Sequence, residues 1–287
     1  MKRNLVSHNK CILTLICLVF MVYPVLTQEN RKSKLRSMKN EKLMVLKAED
    51  VNHFTFVPPP PRIAAMQKEN REVIINVDYN GFPIQAIAAF EYAISIWEAS
   101  LDGSVTVHVQ ATWVSLGPNV LGSAGPNMYM ANFPNAAYDD TWYPIALANQ
   151  IAGEDLDEEH DITANFNSDF PNWYFGINGE TPVDEYDFVT VVLHELCHGL
   201  GLIGSMEVIA SMGSWGSGDP FGPNIYDHFT ENGSGQQLIN TSNFPNPSIA
   251  LGDELTSEDL FYSGYWAAHQ NGGVKPEIYA PSTWEQG

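Results

Sequence analysis

The sequence predicts a mixed α/β (α+β) fold. Two segments in which β-branched residues alternate with more polar ones flank a stretch with apolar residues at helical spacing. A second apolar helical stretch follows further along the chain. The chain has 287 residues, of which 44% are hydrophobic, and this suffices to bury one large core or two small ones.

Three elements open the predicted body of the protein. Strands are predicted over residues 72–79 and 104–114, because valine or isoleucine recurs at every second position in parts of both. The helix between them starts after residues 81–83 and ends before Asp102. Its apolar stripe, which must lie on a core, comprises Ile87, Phe90, Ile94, Trp97 and Leu101.

The middle of the body is predicted to be less regular. Glycine, asparagine, proline and aromatic residues crowd residues 116–144, which indicates long ordered loops, and a short edge strand is predicted over 162–167. A second helix is predicted to begin at Asp184, whose carboxylate can accept from the backbone N–H three residues on. Its apolar run continues to residue 198 and ends at Gly199, Gly201 and Gly204.

Charge divides the chain into two parts. Residues 1–71 hold 13 of the 14 basic residues and 5 of the 34 acidic ones, so the remainder is strongly acidic, and the whole chain carries −20. This charge argues against nucleic acid as a partner, because phosphates would be repelled. It favours solubility outside the cell, and it leaves calcium binding open, although no calcium-ligand pattern is present.

Residues 1–27 have the features of a signal peptide. A basic start precedes an apolar run from Cys11 to Tyr23, which is too short to span a bilayer, and a small-residue cleavage site precedes Gln28. The sequence therefore predicts an exported protein, secreted or at the cell surface, with no membrane span in the mature chain. Without the signal peptide Cys197 is the only cysteine, so no disulfide can form within the chain.

Residues 28–71 are predicted to be a basic leader or linker, or a pro-segment, rather than a folded unit. Lysine and arginine crowd the first half, and a polyproline stretch from Pro58 to Pro61 stiffens the second. A short helix that docks on the acidic body is a further possibility. No inhibitory motif is visible in the segment.

The second predicted helix carries the pattern His-Glu-x-x-His at residues 194–198. Residues four apart lie roughly 40° apart around a helix, so His194 and His198 point the same way and can share one ion. Two neutral imidazoles suit Zn²⁺, and Glu195 lies beside them, where it can take a proton from a water molecule. The alternative is that the two histidines have a structural role only. Cys197 is predicted to be a small, buried hydrophobic residue.

The segment His194–Leu202 resembles the zincin metallopeptidases, and Gly201 matches the metzincin pattern His-Glu-x-x-His-x-x-Gly-x-x-His. The resemblance covers residues 72–205, which would form an N-terminal catalytic subdomain. It implies that His194 and His198 are zinc ligands and that Glu195 is the general base. It also implies a zincin-like twisted sheet backed by two helices, with substrate lying along an edge strand above the zinc.

The chain departs from this pattern at the third ligand. The third metzincin histidine would fall at position 204, where this chain has Gly204. In leishmanolysin-like enzymes an insertion precedes that histidine, and residues 206–287 resemble such an insertion followed by an incomplete C-terminal subdomain. Exported bacterial relatives that the chain resembles continue past a segment like Tyr279–Trp284 to a histidine, so the third ligand is expected beyond Gly287.

Three residues within the chain are alternatives for the third ligand. Asp227 and His228 follow a stretch rich in glycine and proline, from which either is able to reach the metal. Glu254 resembles the glutamate ligand of gluzincins, although Glu258 stands where that family has an aspartate.

The predicted function is that of a secreted zinc endopeptidase acting on protein or peptide substrates. One alternative is a catalytically incompetent surface binding or adhesion module that retains the zincin helix, which would suit a chain with 7 Trp and 12 Tyr. Another is a calcium-stabilised domain of an adhesin. Hydrolysis of an unfolded protein that a chelator abolishes would separate the first prediction from both alternatives.

Overall fold

A computed structural model describes residues 32–37, 43–48, 73–218 and 220–282. The predicted signal peptide, residues 1–27, and Gly287 lie outside these ranges. The strands are β1 (Lys34–Ser37), β2 (Met44–Lys47), β3 (Ile75–Asn80), β4 (Val107–Val114), β5 (Val120–Pro126), β6 (Met128–Ala131), β7 (Tyr143–Pro144), β8 (Ile162–Asn167), β9 (Trp173–Tyr174), β10 (Tyr186–Asp187), β11 (Glu207–Ile209), β12 (Met212–Ser214), β13 (Thr230–Asn232) and β14 (Leu260–Tyr262). The helices are α1 (Ile84–Ser100), α2 (Ile145–Ala152), α3 (Phe188–Leu200), α4 (Ile249–Leu255) and α5 (Tyr265–Gln270), and a 3₁₀ helix covers Ile225–Phe229.

The central feature is a five-stranded sheet with the order β2-β5-β8-β4-β3. Strands β3, β4 and β8 are parallel, whereas β5 runs antiparallel to β8 and β2 runs antiparallel to β5. The mixed α/β architecture predicted from the sequence is confirmed, as are strands β3 and β4. Their inward positions, among them Ile75, Val107 and Val109, are buried at alternate residues, as expected for strands with one face on a core.

Two helices complete the main core. Helix α1 has the predicted apolar stripe, and it packs against α3. The buried faces of both helices join the sheet in one hydrophobic cluster. Aromatic rings link the layers: Phe166 of β8 lies 5.5 Å from Phe90 of α1 and 5.3 Å from Phe188 of α3, measured between ring centroids.

The region predicted as long loops, residues 116–144, contains strands β5 and β6 instead. Strand β5 is built largely of small residues and is buried along almost its whole length, so it shows no alternation of polar and apolar positions. Two of its glycines are in close contact: a Cβ at Gly122 would lie 3.1 Å from Glu195 Cγ, and one at Gly125 would lie 3.2 Å from Leu43 Cδ2. The small residues of β5, which are typical of loops, here allow close packing on both faces of the strand.

Strand β8 was predicted as an edge strand but lies inside the sheet, between β5 and β4. The strand contains two asparagines, Asn165 and Asn167. In the fold Asn167 is buried, and its side-chain amide donates to the carbonyl oxygens of Gly117 and Val120 at 2.8 and 2.7 Å. Because a polar side chain with its hydrogen bonds made is compatible with burial, the residue type did not reveal the position.

The segment 28–71, predicted to contain no folded unit, contributes two strands to the fold. Strand β1 pairs antiparallel with β6, and β2 forms the outermost strand of the main sheet beside β5. Both pairings join residues far apart in the sequence, and neither short strand has an apolar period of its own. The basic composition of the segment therefore gave no indication of these two strands.

The remainder of the molecule packs as smaller clusters beside the main core. Helix α2 packs with β6 and β7, and α4 packs on β12. Strands β13 and β14 pair antiparallel, and residues of the C-terminal part form their own apolar cluster with Leu238, Leu251 and Leu255. Among the described helices, none has both the length and the apolar character needed to cross a membrane.

Candidate metal centre

Helix α3 presents the His-Glu-x-x-His pattern between well-defined ends. It begins at Phe188, because Asp187 and not Asp184 is the N-cap: the Asp187 carboxylate accepts from the backbone N–H of Thr190 at 3.0 Å. Tyr186 and Asp187 pair with β9 as an extended strand, which prevents an earlier start. Gly201 ends the helix at φ +130°, a backbone conformation that side chains disfavour.

The two histidines converge on one point. The Nε2 atoms of His194 and His198 are 3.2 Å apart, and the two rings stand at 86° to each other. Two nitrogen ligands about 2.0–2.1 Å from a tetrahedral ion would be separated by about 3.3 Å. The pair therefore fits two corners of a zinc site. A direct hydrogen bond between the two rings is the alternative that this distance also allows.

A hydrogen bond made by Nδ1 of His198 determines which ring nitrogen carries the proton. Nδ1 lies 2.9 Å from the carbonyl oxygen of Leu202, which can only accept, so Nδ1 carries the hydrogen and Nε2 presents its lone pair. Metal-ligating histidines commonly have such a partner. Burial, with the neighbouring His198 as a further cause, lowers the pKa of His194 to about 3, and burial also lowers the pKa of His198. Both rings are therefore neutral near pH 7, the form that binds a metal.

Glu195 lies on the sheet side of the helix, against β5. The side chain is fully buried, and neither carboxylate oxygen has a hydrogen bond of ordinary geometry among the described residues. Burial raises the pKa of Glu195 well above its usual value, and the nearby backbone N–H of Ala124 opposes this only in part. A strongly perturbed carboxyl beside a histidine pair has the chemistry of a proton carrier.

Gly204, where the metzincin pattern would have its third histidine, lies close to the Asp227 carboxylate. A Cβ there would lie 2.8 Å from Asp227 Oδ1. The Asp227 carboxylate itself is buried, and it accepts from the backbone N–H and hydroxyl of Ser205 and from the backbone N–H of Asn224. Through these hydrogen bonds Asp227 connects the loop after α3 to the 3₁₀ helix.

Among the described residues, neither of the other two candidate ligands joins the histidine pair in a metal-binding group. The ring of His228 stacks on Tyr138 with a centroid distance of 4.0 Å, and its Nε2 lies 3.0 Å from Thr141 Oγ1. Glu254 is on α4, which packs on β12. Over the part of the chain that the structure describes, no group of three or more His, Cys, Asp or Glu residues is arranged to hold a metal.

Several residues that shape the site are not indicated by the His-Glu-x-x-His motif. The carbonyl of Leu202 orients His198, and Gly122 of β5 allows the sheet to approach Glu195. Neither role depends on a distinctive side chain, so residue type alone could not indicate them. Cys197 is a buried free thiol in the main core, and burial raises its pKa.

Comparison with known proteins gives one partial likeness. A family described as SPBPB7E8-like matches residues 120–232, a range that includes β5 and the whole of α3. The match covers less than half of the 287 residues, and the description names no activity. No curated protein and no solved structure matches the chain.

Proposed function

We propose that this chain is an exported zinc-dependent endopeptidase of the zincin type. The observation that carries the proposal is the convergence of His194 and His198, with Nε2 atoms 3.2 Å apart and with His198 Nδ1 donating to Leu202. Its support from the fold is a sheet in which β3, β4 and β8 are parallel and β5 runs antiparallel to them, with two helices packed on it, the second of which carries the histidines.

In the proposed hydrolysis the two histidines and Glu195 have different roles. Nε2 of His194 and Nε2 of His198 would hold Zn²⁺, whose contribution there would be to polarise the peptide carbonyl and to lower the pKa of a water molecule. Glu195 accepts the proton of the attacking water and delivers it to the leaving amine. The raised pKa of Glu195 brings the carboxyl closer to the range in which it can both take and return a proton near neutral pH.

A surface binding module that retains this helix is the second candidate. The observation that favours it is the complete burial of Glu195, because a base that water cannot reach cannot act on water. In that case the histidine pair would bind zinc or a hydrogen bond would join the rings, and no peptide bond would be cut.

Replacement of Glu195 tests the proposed function. The Glu195→Gln variant should bind as much zinc as the wild type, because Glu195 is not a ligand, while hydrolysis of an unfolded protein falls by about 10²–10⁴-fold. Metal analysis and a fluorescent protein substrate provide the two measurements. Glu254→Gln is the matched control, and it should leave both unchanged. If neither the intact chain nor any proteolysed form of it cuts the substrate, the binding module is the better description.

A further inference from the structure

A cavity of about 370 Å³ is lined by residues of α1, α2, α3, α5 and the 3₁₀ helix. Its interior is apolar: Val73, Val107 and Ala146 line it, and each is 1% exposed. Neither the histidine pair nor Glu195 is among its lining residues, so the cavity is separate from the candidate metal centre. Its volume falls in the range of small-molecule sites, about 300–1,000 Å³.

Aromatic rings form much of the wall. The rings of Tyr226 and Tyr262 stack with a centroid distance of 5.2 Å, and Phe229 lies 5.6 Å from Tyr262. Trp97 is buried in the interior, whereas Trp266 is 41% exposed. The faces of such rings attract cations, most strongly where water is excluded.

The mouth of the cavity is acidic. Asp102 and Gln270 line the cavity and are exposed, so with Trp266 they indicate the side that opens to solvent. None of the lining residues that the structure describes is a lysine, an arginine or a histidine. After residue 71 the chain holds one lysine or arginine, Lys275, against 29 acidic residues. A cation is therefore drawn to this part of the molecule, and an anion is repelled.

Three helices also end at the cavity. Ser100 is the last residue of α1, Gln150 belongs to the last turn of α2, and Leu200 is the last residue of α3; all three line the cavity. The C-terminal end of a helix carries a partial negative charge of about half an elementary charge. No basic side chain lies in the last turn of α1 or α2 to neutralise it.

We propose that this cavity binds an organic cation, with an ammonium group beside Asp102 and the Trp266 ring and with an aromatic or aliphatic body in the interior. The aromatic wall, the acidic mouth and the helix ends all favour positive charge, and the apolar interior favours a hydrophobic body. A carboxylate in the same place would be buried without a positive partner, which is costly. The inference does not rest on the proposed function, because no residue of the histidine pair takes part.

Three probes that differ in charge test the proposal on the full chain. Phenethylammonium, phenethyl alcohol and hydrocinnamate share a phenyl ring on a short chain, and their head groups are positive, neutral and negative. Titration calorimetry measures each affinity. We expect phenethylammonium to bind about 10-fold more tightly than the alcohol, because of the ring faces and Asp102. Hydrocinnamate should bind at least about 10-fold more weakly than the alcohol.

Substitutions at the mouth locate the binding. Asp102→Asn should weaken phenethylammonium binding by about 2–5-fold, the range for an exposed ion pair. Asp184→Asn is the matched control, because it removes the same charge from an exposed residue that does not line the cavity, and it should leave the affinity unchanged. Gln270→Lys places a positive charge at the mouth, so hydrocinnamate should then bind more tightly than phenethylammonium.

The replaced side chains are exposed, so the fold should persist, and circular dichroism checks this for each variant. Equal affinities for phenethylammonium and the alcohol in the wild type would overturn the assignment of a cation. Equal losses in Asp102→Asn and Asp184→Asn would also overturn it, because the general negative charge of the chain would then explain the attraction. If the folded wild type binds none of the three probes, the cavity is not a site for this class of ligand.

Discussion

The carbonyl oxygen of Leu202 decides which nitrogen of His198 faces the shared point. Helical spacing brings the two imidazoles of α3 together, but it does not set their tautomers. The hydrogen bond from Nδ1 to Leu202, 2.9 Å long, leaves the lone pair of Nε2 directed at His194. The loop after Gly201 is therefore as much a part of the site as the helix, because it supplies the acceptor.

Zinc affinity should separate ligands from structural carboxylates at the level of single residues. His198→Ala should lower zinc affinity by more than about 100-fold, since even supporting groups around a metal contribute about 10–100-fold. Asp227→Asn should leave zinc affinity unchanged, because the carboxylate is committed to Ser205 and Asn224. Competition with a chromophoric chelator measures both variants.

Asp227→Asn should instead show its effect in unfolding. The amide nitrogen would face N–H and O–H donors that the carboxylate now accepts, at a cost of about 1–3 kcal/mol in the free energy of unfolding. Urea titration measures this cost. A loss of zinc from Asp227→Asn as large as that from His198→Ala would identify Asp227 as the third ligand.

At the scale of elements, α3 approaches the sheet closely at Gly199. A Cβ there would lie 2.5 Å from Ile162 Cγ2 and 2.7 Å from Ile162 Cγ1, in the inner strand β8. Helix α3 can approach the sheet this closely only because residue 199 has no side chain. The same closeness keeps Glu195 against Gly122 on the neighbouring strand.

Gly199→Ala should destabilise the protein, although alanine is the better helix former by about 1 kcal/mol. The added methyl group overlaps a β-branched side chain that the packed core cannot move freely, and such overpacking costs about 1–3 kcal/mol. The double variant Gly199→Ala/Ile162→Ala should lose less than the sum of the two single changes. Additive losses in urea unfolding would show that the two residues do not limit the approach of α3.

At the scale of the whole molecule, an acidic body that buries some of its carboxyl groups should be more stable in mild acid. Asp161 is buried where α2 meets β4, and it accepts from the His108 backbone N–H at 2.7 Å and the Asn149 side-chain amide at 2.9 Å. Burial, as the largest cause, raises the pKa of Asp161 from 3.8 to about 6.

The sign of the pH dependence follows from this direction. Between about pH 4 and pH 6 the folded state holds a proton on Asp161 that the unfolded state has released. The free energy of unfolding should therefore fall as pH rises through this window, by at most about 3 kcal/mol from this group. In Asp161→Asn the slope should be smaller, and in the exposed control Asp253→Asn it should be unchanged. Urea midpoints across the window provide the measurement, and an unaltered slope in Asp161→Asn would contradict the assignment.

The two helices of the main core, α1 and α3, could be predicted from the sequence. The stripe of α1 and the apolar run of α3 are local patterns, and the structure confirms both helices. Strands β3 and β4 are likewise confirmed, since alternation marks a strand with one buried face. Strand β5 was missed because a strand buried on both faces and built from small residues has no alternation to detect.

The sequence alone determined that two imidazoles four residues apart lie on one helix and that Glu195 lies beside them, since helix geometry is local. Only the tertiary structure decided what surrounds them. It determined that Leu202 orients His198, that Asp227 is tied to Ser205, and that Leu46 comes to lie beside Gly122. Each of these contacts depends on how separate segments meet in the packed fold, and the energies that select it are burial and pairing, which leave no periodic trace in either segment.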